Sequence, residues 1–191
     1  MTNAKITMAA FVALAAVLGA CQSVSATSEG GVQQGARAAS AGEVLDVRAA
    51  MVEGVNPAAL AIWDFGNNMM TDEGQLDPAL MDAGAWARLH EAAQSLADYA
   101  RRMAHAEVIR ASGPDLVGGE VPEGVSSREE IQAMIDANPD GFRALSTEMG
   151  RQADAIAAAA KTRDLVAASD QVLAFDGACQ ACHENYWYPQ Q

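Results

Sequence analysis

The most regular stretch of the chain is its last. Leu165, Ala168, Val172, Phe175, Cys179, Cys182 and Tyr186 follow one another at alternating spacings of 3 and 4. That rhythm places all seven on one seam of a single helix. Asp164 stands where an N-cap is needed, and Pro189 lies past the end. A second helix repeats the rhythm through Trp86, Leu89, Ala93, Leu96, Ala100 and Met103. Its start is expected at Asp77, with Pro78 at the first helical position, and its end by Gly113-Pro114. A third is expected from Pro139, after Asn138, to Lys161, with Phe142, Leu145, Met149 and Ile156 inside.

The first helical region runs from about Glu43 to Met70 by the same rule. Pro57 lacks a backbone donor, so a break or kink is expected between Gly54 and Pro57. Asn56 is the candidate cap of the second part, which carries Leu60, Trp63 and Met70 on one side. Between the second and third helices, Ala111 to Ser127 is rich in Gly and Pro and reads as a loop. A short helix, Arg128 to Ala137, follows it, capped by Ser126 or Ser127. No strand is required. The expected fold is all-α: a four-helix bundle over residues 43–191.

Composition agrees. Half of the 191 residues are apolar but only 5% are aromatic, and alanine prevails. Such a chain suits close-packed helices better than sheets. The net charge is −13, from 12 Lys and Arg against 25 Asp and Glu. Nucleic acid is therefore not an expected partner, since phosphate binding needs a basic face. A partner with a basic docking surface suits the charge better.

The N-terminus is patterned differently. Lys5 precedes an uncharged apolar run from Ile6 to Leu18, which meets Gly19, Ala20 and Cys21. Residues 1–20 read as a secretory signal, outside the fold. Leu18-Gly19-Ala20-Cys21 resembles the lipobox of bacterial lipoproteins, in which the cysteine receives diacylglycerol. Cysteine arithmetic supports lipidation, because two of the three cysteines belong to another motif and Cys21 is left over. The competing readings are cleavage after Ala26, behind Val24-Ser25-Ala26, and an uncleaved anchor helix. Residues 21–42, dominated by Ser, Gly, Ala and Gln, read as a flexible tether. Its average reach is about 25 Å by the square-root rule for such linkers. The expected location is the periplasmic side of a bacterial membrane, lipid-anchored, with a soluble periplasmic protein as the alternative.

The chemistry lies in Cys179-Gln180-Ala181-Cys182-His183. Two thiols a helical turn apart can add across the two vinyl groups of one porphyrin. The next imidazole is then carried under the iron, its other nitrogen left to donate a hydrogen bond. C-x-x-C-H is the signature of such an attachment. A redox C-x-x-C should open a helix in a βαβ unit, where the thiol pKa falls; this one sits inside a late helix. A zinc site needs a fourth ligand, and neither His90 nor His105 has motif spacing. One covalent haem c is expected, with His183 on the iron.

A C-x-x-C-H on the last helix of a four-helix bundle resembles the class II c-type cytochromes, the cytochrome c′ group. The resemblance spans roughly Glu43 onward, and only the attachment segment is specific. In that group an Arg on the first helix lies near a haem propionate, just before the side chain covering the distal iron face. Arg48 followed by Met51 and Val52 resembles that segment. Met51 is then a candidate sixth ligand, or Val52 or another apolar group covers an open site. As an alternative, Met51 is plain core filler and Arg48 a surface charge. The group commonly carries a base after the motif's aromatic residue; here Tyr186 matches, but Trp187 replaces the base. Trp63, Trp86 and Trp187 are candidates to wall the haem or to fill core. His90 and His105 are expected to be solvated, with bis-His ligation a minor alternative.

Two functions follow from the resemblance: an electron carrier with six-coordinate iron, or a five-coordinate protein binding NO or CO. A structural lipoprotein stabilised by haem is a third reading. No nucleophile–base pair suggests an enzyme. Expected partners are a redox protein, the membrane through the anchor and, as an open option, a second copy of the chain.

Overall fold

The computed structural model describes residues 42–112 and 124–187. Cys21, the alternative cleavage point at Ala26, nearly all of the tether and the loop at 113–123 lie outside these residues. In chain order the elements are β1 (Val44–Asp46), α1 (Val47–Ala50), a π-helical turn (Met51–Val55), α2 (Asn56–Asn68), α3 (Ala83–His105), β2 (Val108–Arg110), α4 (Arg128–Ala137), α5 (Pro139–Thr162) and α6 (Leu165–Tyr186). Helix α3 packs on α5 and α2, and α6 packs on α5 and α2, so the four close into a ring. The all-α bundle expected from periodicity is what forms.

The seams are buried as their spacing demands. Leu89, Ala93, Leu96, Ala100 and Met103 of α3 are fully covered, as are Ile156 of α5 and Ala168 and Phe175 of α6. Alanine at so many of these positions lets the α3 and α5 backbones approach closely. Three helix starts follow the expected caps. Asp164 accepts from Ala167 N, Asn138 from Gly141 N, and Ser127 forms a reciprocal capping box with Glu130.

Several expectations fail. Helix α3 begins at Ala83 with Asp82 as its cap, not at Asp77. The Asp77 carboxylate instead accepts from Ala79 N, and its carbonyl from Leu80 N and Met81 N, closing one separate turn. The same helix ends at His105, ahead of Gly113-Pro114 as expected, where the chain leaves it to pair as a strand. Val44, Leu45 and Asp46 lie in parallel register with Val108, Ile109 and Arg110, although no strand was required. Leu45 and Ile109 are buried beneath that ladder while Val44 and Val108 face out, the alternation a half-buried strand requires. On α2, Leu60 is 62% exposed, and Ala58, Ala59, Ile62 and Phe65 take the core side.

The irregularity expected between Gly54 and Pro57 is present, but it does not end the first helical region. The turn before it widens into a π-turn, closed by the Asn56 N–H donating to the Met51 carbonyl. In an α-helix the proline ring would strike the carbonyl of residue 53; the wider turn relieves that clash without ending the helix. Asn56 is accordingly an ordinary helical residue, not a cap. Asp46, just before Val47, caps α1 through Ala49 N and also accepts from the Ser112 backbone and hydroxyl. Partial burial alone would raise its pKa. The Ser112 and Ala49 hydrogen bonds outweigh that and hold the carboxyl below its ordinary range.

Gly54 sits inside the π-turn with the Tyr99 ring pressed against it. A Cβ built on Gly54 would lie 2.0 Å from Tyr99 Cε2. The same ring carries the Arg102 guanidinium 5.0 Å from its centroid, and that guanidinium is also paired with Glu43. A methyl at residue 54 must therefore move a ring that is also engaged by Arg102. Gly54→Ala is expected to cost about 1–3 kcal/mol, the usual price of overpacking. In Gly54→Ala/Tyr99→Ala the two losses should fall well short of adding, as read by denaturant unfolding.

Candidate haem site

The last helix brings the attachment residues together because they are adjacent in sequence and one turn apart. Cys182 is 7% exposed, whereas Cys179 is half-buried. The seam is tightly covered at Ala168, Val172 and Phe175 and again at Cys182 and Tyr186, while Cys179 on it and Ala181 and His183 beside it are only half covered. Two free thiols and an imidazole at the margin of an apolar core are the donor set that a covalently held porphyrin requires. The residues fit the group.

Burial decides what the thiols can otherwise do. It pushes Cys179 up to about 12, helped by the Asp176 carboxylate and Cys182, and Cys182 up to about 11. A redox dithiol needs an accessible thiolate near neutral pH, and this environment opposes one. Among the described residues no cluster of three or more His, Cys, Asp or Glu side chains is arranged to hold a metal ion. Burial also lowers the His183 pKa. A neutral ring offers a lone pair, which an axial ligand must do.

Trp187 lies beside this triad. Its ring centroid is 6.1 Å from that of His183, and its backbone N–H donates to the His183 carbonyl. Its carbonyl in turn accepts from Ser126 N, tying the end of α6 to the entry of α4. Tyr186, one residue earlier, meets Phe142 edge-on at 5.3 Å and donates its hydroxyl to the Asn138 carbonyl. Phe175, one turn before Cys179, packs on the Trp63 ring at 5.9 Å. Trp86 is buried core.

The distal candidates are placed less directly. Met51 opens the π-turn and is partly buried against the core, Arg48 is half-buried on α1, and Val52 is 60% exposed. The π-turn packs chiefly on α2 and α3. His105 is exposed, as expected, but His90 is not simply solvated: its Nδ1 lies 2.9 Å from the Ala157 carbonyl on α5. That hydrogen bond engages the imidazole with a neighbouring helix. No periodicity signals this, nor the buried Ser169 hydroxyl that accepts from Leu76 N.

The sequence pattern of the family described as Cytochrome C' matches residues 65–187. The match covers well over half the chain and takes in Cys179, Cys182, His183 and Trp187. It begins after the segment that holds Arg48 and Met51. Searches of curated proteins and of solved structures returned no significant match. An all-α bundle, a C-x-x-C-H set at the end of its last helix, and a family pattern spanning three of its four main helices agree: the chain belongs to the cytochrome C' family.

Proposed function

We propose that this protein is a monohaem c-type cytochrome, exported and lipid-anchored through Cys21, that carries single electrons to or from a periplasmic partner. Cys179 and Cys182 would hold the haem by thioether bonds and His183 would ligate its iron. Bound there, the group supplies a one-electron iron couple. The chain's own part is to shield and position. Phe175 and Trp63 close the core behind the thiols, and Trp187 stands beside the imidazole. Met51 is the proposed sixth ligand, with Arg48 toward a propionate. Export and anchoring rest on the Lys5-to-Cys21 pattern.

The observation that favours an electron carrier is Trp187 beside His183. The family commonly carries a base there, and an aromatic ring cannot take over any proximal role such a base has in gas-binding members. The second reading, a five-coordinate haem binding NO or CO, draws on the start of the family match at Phe65, which lends Met51 no support. One absorption spectrum separates them. The ferric holoprotein is expected to be low-spin, with the weak far-red methionine-to-iron band, and Met51→Ala to abolish that band. A high-spin spectrum with rapid CO binding to the ferrous form would transfer the assignment to the second reading.

A further inference from the structure

The charges of this protein are sorted by element. Residues 56–82 and 165–187, which comprise α2, the segment joining it to α3, and the whole of α6, contain eight Asp and Glu and not one Lys or Arg. All the Lys and Arg of the described residues lie on α1, α3, β2, α4, α5 and the turn after α5. Helices α2 and α6 pack directly together. The joining segment is fastened to α6 by Leu76 N donating to Ser169 Oγ. The base-free elements therefore form one continuous side of the bundle, and it is the side that carries the attachment helix.

That side is also where apolar surface is left uncovered. Of seven large apolar side chains exposed among the described residues, four belong to it: Leu60, Leu80, Val166 and Leu173. Leu173 is 56% exposed. Gly74 abuts it, so a Cβ there would meet Leu173 Cδ1 at 3.7 Å. Asp72 and Glu73 are thereby brought to its edge, while Asp170 and Asp176 flank it along α6. Among the described residues none of these four carboxylates has a salt-bridge partner. Leu173 lies six residues before Cys179, roughly 9 Å along the helix axis.

We propose that the face centred on Leu173 docks a redox protein that presents Lys and Arg around an apolar patch. The inference rests on the electron-carrier reading and gives that reading a place on the surface. Unpaired carboxylates around an uncovered apolar centre match a basic ring around an apolar centre, steering the encounter and excluding water at contact. The step served is the passage of one electron between the two proteins, with no bond made or broken.

The test uses the holoprotein and a lysine-rich class I cytochrome c as probe. Kd is measured calorimetrically at about 20 mM and about 500 mM NaCl, which bracket strong and weak screening. Electron exchange is followed separately by stopped flow. Asp170→Asn/Asp176→Asn is compared with Glu91→Gln/Glu107→Gln, which removes the same charge from α3 and the residue before β2. The first pair should weaken binding about fivefold at low salt and not at high salt, and the second should leave it unchanged. Leu173→Ser should weaken it about fivefold at both salts. Equal effects of the two charge pairs, no effect of Leu173→Ser, or no binding at all would overturn the docking face. Binding as described without electron exchange would instead overturn the electron-carrier reading and leave the face as a docking site.

Discussion

Protein matured in a periplasm competent for c-type haem is expected to keep its colour through acid–acetone extraction, and Cys179→Ala/Cys182→Ala to lose it entirely. The physical ground is the difference between a covalent and a coordinate link. Acid would protonate the imidazole and release iron from His183, so a haem held only by ligation and packing would leave with the solvent. Thioether bonds survive that treatment. Each single substitution should leave one bond and thus some retained pigment, separating the two sulfurs' contributions. His183→Ala should retain its colour in acid–acetone but show an altered spectrum, because attachment and ligation use different atoms. Colourless wild-type protein from a competent host, or wild-type pigment that extracts fully, would remove the haem assignment.

Phe175→Ala is expected to be the most damaging single change in the core, at about 3–5 kcal/mol, the range for deleting a buried aromatic side chain. Phe175 has no exposed surface, packs on Trp63 at 5.9 Å and lies one turn before Cys179. Its loss removes apolar burial and leaves a cavity that the α2–α6 interface cannot collapse to fill, because Trp63 is held against the rest of the core. For a domain of this size each kcal/mol lowers Tm by about 2–4 °C, so a fall of about 6–20 °C is expected. Leu173→Ala, two residues away but 56% exposed, should stay within about 0.5 kcal/mol. Urea unfolding of the holoproteins compares them. Equal losses at residues 173 and 175 would show that the seam does not face inward as described.

The candidate attachment segment was legible because its geometry is local. Residues three and four apart on a helix meet whatever the rest of the fold does, so Cys179, Cys182 and Tyr186 share a face once the segment is helical. The same holds for the caps at Ser127, Asn138 and Asp164, whose hydrogen bonds reach only to the next turn. Asp77 misled for a related reason. An Asp-Pro pair opens a turn as readily as a helix, and the choice fell to Asp82, from which the buried α3 seam runs.

What short-range pattern carried, then, was the chemistry of one segment, the number and seams of the main helices, and their all-α class. Tertiary structure alone decided the rest. The β1–β2 ladder, the His90 bond to Ala157 and the Ser169 bond to Leu76 join segments far apart in the chain. The π-turn arises where Pro57 and the Tyr99 ring bear on the same few residues, and the base-free face exists only because α2 and α6 are neighbours. Each depends on which surfaces meet in space, and that is settled by packing the whole core at once rather than by the preferences of any one stretch.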